Sequence, residues 1–171
     1  GKELIRATAL FQREGEVDIP QGLPGHPLPK APKTPTDSPV QRFPFAHGEI
    51  GYPDLVESRI AAGRMFAGPS AVWFRLSYPL VQGQKPSPYQ RVAVAADSGN
   101  GISAILDLST HVFVNSDLSI NLLRRPEGEW ICIEARTLLG PASSGIAEAR
   151  IYDATGLIGR STQSLALRLR E

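Results

Sequence analysis

The sequence is poor in the residues and patterns that mark several large protein classes. One cysteine, Cys132, among 171 residues cannot form an intramolecular disulfide, so a reducing compartment, the cytoplasm, is expected. No apolar run reaches the roughly 18 residues a membrane-spanning helix needs, and no basic, apolar, small-residue export signal opens the chain. Charge of one sign is also missing. Lys plus Arg is 18 and Asp plus Glu is 17, a net of +1, which leaves no broad field to draw in nucleic acid or an anionic membrane surface. His26, His47 and His111 have no Cys, His or carboxylate at ligand spacing, so no metal or other cofactor is expected. There is no nucleophile elbow, and Gly99-Asn100-Gly101 follows a helix where a phosphate cradle should precede one. What remains is 42% apolar and 20% charged, the balance of an ordinary domain with a buried core.

Proline is the exception, at 15 residues against roughly 5% in typical chains. Pro20, Pro24, Pro27, Pro29, Pro32, Pro35, Pro39 and Pro44 fall in one stretch with few apolar side chains between them. Residues 14–44 therefore read as an extended linker unable to bury a core. Residues 3–11 before it read as one strand. A lone strand has no stability without a sheet, so residues 1–13 are expected to be the last strand of a preceding domain, and the chain to be a piece of a longer one.

After the linker, residues 45–171 read as a dense domain. Strands are expected over 55–60 and 71–80, then one short buried helix within 86–101, with Ser87 as N-cap, Pro88 in the first helical position and Gly99 as the stop. Strands over 102–106, 110–123, 129–139, 146–152 and 157–169 follow, punctuated by Pro126-Glu127-Gly128, Gly140-Pro141 and Asp153-Ala154-Thr155-Gly156. Long antiparallel strands around a single buried helix make an α+β layer of the hotdog type. Trp73 and Trp130 read as core or interface aromatics.

Three polar residues stand where polar groups are costly. On the period of two in the last strand, Gln163 shares the face of Leu157, Leu165 and Leu167, so it is either a satisfied core amide or bonded to a water or ligand. Asp97 ends the helix, at the negative end of its dipole, as an Asx turn or as a general base beside a cleft. Asn115 shares the polar face of 110–123 with Phe113, Asp117, Ser119 and Asn121, where solvent is the ordinary neighbour.

Asp97 after an Ala/Val helix, the run from Phe113 through Ser119 to Arg124-Arg125-Pro126, Glu129-Trp130, and the closing Ser161-Thr162-Gln163-Ser164 together resemble the C-terminal half of acyl-CoA thioesterase II proteins, double-hotdog enzymes that hydrolyse acyl-CoA thioesters. The resemblance implies a second hotdog after an interdomain linker, an acyl-CoA substrate, and a partner that is either the missing N-terminal hotdog or another copy of the chain. It carries an Asp onto Asp97, a Gln onto Gln163 and a Ser or Thr onto Asn115, three groups that together hold the attacking water. Asn115 departs from the family there, and Asp117 matches a polar position without an assigned role. A non-catalytic acyl-CoA-binding or assembly half is the alternative. An enoyl-CoA hydratase-like hotdog ranks third, because no His follows Asp97 at the short spacing that chemistry uses.

Overall fold

A computed structural model describes residues 5–13, 15, 16, 18, 20, 22, 28–43 and 51–170. Its elements run α1 (Tyr52–Leu55), β1 (Val56–Gly63), β2 (Ser70–Leu76), α2 (Pro88–Asp97), α3 (Gly99–Ile102), β3 (His111–Asn115), β4 (Ser119–Leu122), β5 (Ile131–Leu139), β6 (Ser144–Asp153) and β7 (Gly156–Leu169). The strands form one antiparallel sheet in the order β1-β2-β5-β6-β7-β3, with β4 also on β7. It wraps around α2 and α3, as the period-two and helical patterns require.

The start of α2 forms as expected. Ser87 Oγ accepts from the Gln90 N–H at 3.2 Å, Gln90 Oε1 accepts from the Ser87 N–H at 2.7 Å, and Pro88 occupies the first turn, where its missing N–H costs nothing. The helix buries Val92, Ala95 and Ala96 in a core shared with Val72, Phe74, Ile131, Ile133, Ile151 and Ile158.

The other end of the helix differs from expectation. Gly99 does not stop the chain in a left-handed turn; α3 continues to the fully buried Ile102, and residues 102–106 form no strand. Their backbone is used elsewhere: Ile102 and Ala104 carbonyls accept from Phe66 and Gly68 in the β1–β2 connection. A Cβ at position 99 would lie 3.2 Å from Gln163 Oε1, so a larger residue there would push on that amide.

The expected strand over 110–123 is two strands. Asn115 pairs with Leu165 and Ser119 with Thr162, so the three residues Ser116–Asp117–Leu118 face only Gln163 and Ser164 on β7. This is a bulge, and one extra residue reverses side-chain parity. Asn115 and Phe113 therefore share the inner face with Leu165 and Leu167, while Ile120 and Leu122 take over that face beyond the bulge and Val114 is exposed. The placement of Asn115 with Ser119 and Asn121 on one solvent face is thus corrected. Asp117 holds the bulge by accepting from the Ser164 N–H at 2.7 Å and the Ser164 hydroxyl at 3.0 Å.

Residues 28–43 are also unlike a loose linker. The outer sheet face carries a second apolar cluster of Ala61, Ala71, Trp73, Cys132, Tyr152 and Leu157, and Ala31 packs against it. Proline lacks an N–H but keeps its carbonyl, so a proline-rich strand offers the sheet acceptors. Pro29, Pro35 and Pro39 carbonyls accept from Leu157, Arg59 and Ile60, and the Lys33 carbonyl accepts from Trp73 Nε1 at 2.8 Å. Phe43 enters the inner core. The segment is a packed strap. Burial also pushes the Cys132 thiol well above its ordinary range, so it is a core residue and not a nucleophile.

Among the described residues, 5–13 pair with no strand, and Ile5, Leu10 and Phe11 are exposed apart from an edge contact of Phe11 on the Tyr89 ring. Residues 1–4 of the expected last strand lie outside the described ones, as do His26 and His47.

Candidate active site

The end of α2 meets the β3–β7 pair. Asp97, the last residue of α2, is exposed, and its Oδ1 accepts from Asn115 Nδ2 at 3.2 Å. Asn115 is the last residue of β3, turned toward the helix by the parity that the bulge sets. Gln163, 2% exposed on β7, spans the α2–α3 junction: its Nε2 donates to the Asp97 carbonyl at 3.1 Å and its Oε1 accepts from the Asn100 N–H at 2.8 Å. The three residues singled out in the sequence are brought together.

Their satisfaction differs. Gln163 has one bond on each end of its amide, leaving one N–H and one lone pair. Asn115 has spent one N–H on Asp97. Among the described residues, Asp97 receives a single side-chain hydrogen bond. A water at this corner would find a carboxylate to donate to and amide N–H groups to accept from, which is the polarity that water activation requires.

Sequence reasoning missed Tyr52. Its hydroxyl, on α1, lies 2.8 Å from Ser98 Oγ and 3.2 Å from the Val94 carbonyl, so it closes the last turn of α2 beside Asp97. Desolvation against the helix end pushes the phenol up to about 12, the Ser98 hydrogen bond works the other way, and the Asp97 charge adds to the rise. No pattern in 45–60 separates this tyrosine from a surface one.

The Arg124-Arg125-Pro126 and Glu129-Trp130 motifs lie apart from this corner. Arg124 makes a two-pronged pair with Asp153, at 2.6 and 2.7 Å. Asp153 also accepts from the backbone of Glu127, Thr155 and Gly156 and from the Thr155 hydroxyl. Burial alone would raise its carboxyl, but Arg124 and these donors outweigh it and hold the group at about 2. Trp130 is flanked by the guanidinium groups of Arg59 and Arg75, 5.1 and 4.9 Å from its ring centre, and Glu57 pairs with both. Among the described residues, no three His, Cys, Asp or Glu side chains gather as a metal site would need.

The acyl-CoA thioesterase C-terminal domain family matches residues 28–167, most of the chain and the strap with it. The chain belongs to that family. No curated protein matches this member. Its fold is the hotdog, shared with a conserved hotdog protein of unknown function from Alicyclobacillus acidocaldarius at 14% identity and a TM-score of 0.60, covering 97% of this thioesterase-family chain and 59% of that one. An acyl-CoA thioesterase II from Mycobacterium marinum is similar at 17% identity and a TM-score of 0.51, over 77% of this chain and 57% of that one. A hypothetical thioesterase from Streptococcus pneumoniae, solved with coenzyme A, is similar at 14% identity and a TM-score of 0.50, over 67% and 88%. The family member thus spans less than two thirds of the first two of these relatives. Among its described residues, no helix is long and apolar enough to cross a membrane.

Proposed function

We propose that this chain hydrolyses acyl-CoA thioesters to the free acid and coenzyme A through a water held by Asp97, Asn115 and Gln163. The observation that carries the reading is the Asn115–Asp97 hydrogen bond at the end of α2, with Gln163 tied to the backbone of the same aspartate. The water oxygen attacks the thioester carbonyl carbon as its proton passes to the Asp97 carboxylate. The tetrahedral intermediate then collapses, the carbon–sulfur bond breaks, and the leaving thiolate takes the proton from Asp97. No covalent intermediate forms. An amide at 115 replaces a hydroxyl with two donors and a separate acceptor, so it orients water while staying bonded to the carboxylate.

The exposure of Asp97 favours a site that a second hotdog completes. β3 and β4 end the sheet, and Val114 on β3 is an exposed apolar side chain on that edge. The N-terminal hotdog of a longer chain, or another copy of this one, would cover it. A non-catalytic acyl-CoA-binding half has the same exposure in its favour.

The test is thiol release from a panel of acyl-CoA lengths. Turnover should fall in Asp97→Asn and Gln163→Ala while both stay folded; wild-type rates in both variants overturn the residue assignment. No release from any acyl-CoA by the wild type overturns the activity. Asn115→Thr should raise turnover in a weakened enzyme and create none in a binding module.

A further inference from the structure

Next to the Asp97 corner runs a narrow crevice walled by Ile105, Phe113, Leu139, Leu165 and Leu167. It continues the inner face of the same strand pair: Phe113 precedes Asn115 by two residues, about 7 Å along the strand, and Asn115–Leu165 and Phe113–Leu167 are successive pairs on that face. Ile105 and Leu139 are half-exposed at its mouth.

Two polar side chains interrupt this apolar wall, Asn100 and Thr137. Asn100 is 7% exposed, and its Oδ1 is buried without a hydrogen-bond partner, an arrangement that costs stability unless a donor arrives. Thr137 becomes an acceptor by elimination. Ser103 Oγ has one proton and donates it to the Gly99 carbonyl at 2.8 Å, so in the 2.8 Å contact between the two hydroxyls Thr137 must donate to Ser103. What Thr137 Oγ1 has left is lone pairs. Two residues with acceptor capacity to spare thus line an apolar crevice that, closed as it stands, has no room for a water molecule.

We propose that this crevice is an acyl-chain subsite that selects chains carrying a hydroxyl, whose O–H donates to Asn100 Oδ1 or Thr137 Oγ1. The chain supplies the apolar surface that parts Ile105 from Leu139, and its hydroxyl supplies the missing donor. A plain alkyl chain entering the same crevice leaves Asn100 unmatched. The proposal rests on the thioesterase reading for its substrate, but not for its test.

Two measurements on the full chain separate them. Decanoyl-CoA and hydroxydecanoyl-CoA isomers, with the hydroxyl moved along the chain, are compared by kcat/KM; the corresponding free acids are compared by calorimetric binding, which needs no hydrolysis. At one or more hydroxyl positions the hydroxylated compound should be favoured about tenfold, the worth of one buried hydrogen bond. Asn100→Leu should erase that preference and improve the plain chain, and Thr137→Val, which keeps the shape of the wall, should reduce it if Asn100→Leu does not fold. Equal handling of plain and hydroxylated compounds at every position, or a preference that survives both substitutions, overturns the subsite. Absence of thiol release with the binding preference intact overturns the thioesterase reading alone.

Discussion

Asp97 and Asp153 occupy opposite extremes of what a carboxylate can be in one small fold. Asp153 is buried, held by both arms of Arg124, by three backbone N–H groups and by a threonine hydroxyl. Asp97 is exposed at a helix end and has one amide N–H at 3.2 Å. Donors that saturate a carboxylate stabilise its charge and make it a poor proton acceptor; a carboxylate left nearly bare keeps that capacity. The first closes the β6–β7 turn against the Arg124 segment. The second is the one we propose for the chemistry.

Substitutions should separate the two roles. The largest effect is expected at Asp97→Asn, which should lower kcat by about 10²- to 10⁴-fold with the melting temperature nearly unchanged; a large loss of stability without loss of turnover would reverse the contrast. Arg124→Leu should do the opposite, costing about 3–5 kcal/mol because it strands a buried carboxylate, with the kcat of the folded protein preserved. Denaturant titration followed by activity at low denaturant reads both. Gln163→Ala should fall between them, reducing turnover and also costing about 1–3 kcal/mol, since it leaves the Asn100 N–H and the Asp97 carbonyl without their partner.

Acid should strike the Asp153 side. The folded protein holds this carboxyl at about 2 against an ordinary 3.8, so its contribution is present above about pH 4 and is lost as the pH falls toward 2. In Arg124→Leu that contribution is already gone, and acid unfolding should depend less on pH across this window. The smallest effect is expected far from both carboxylates: Trp73→Phe removes the donor to the Lys33 carbonyl and should cost about 1 kcal/mol.

Much of the fold was legible because hydropathy and capping are local. Ser87 and Pro88 announce the start of α2, and the period of two places Gln163 on the buried face without knowledge of its partners. Asp97 stood out as a charge at the wrong end of a helix dipole. What stayed hidden depends on contacts across the chain. The Asp153–Arg124 pair joins residues 29 apart, and Tyr52 reaches Ser98 across 46. The docking of the strap stayed hidden because prolines without N–H groups look like loose chain, while the carbonyls that dock them leave no trace in hydropathy. Asn115 was put on a solvent face because alternation was carried unbroken from 110 to 123, and nothing local marks where the count skips.

That skip joins two uses of one piece of chain. Before Ser116 the odd-numbered residues turn inward and bring Asn115 to Asp97; after Leu118 the even-numbered ones do, and Ile120 and Leu122 fill the core. The segment behaves like a message read in two frames, the proposed site in the first and packing in the second, with Asp117 pinned to Ser164 as the punctuation between them. Removing a single residue there would put both halves in one frame, and the strand would have to give up either its place in the site or its place in the core.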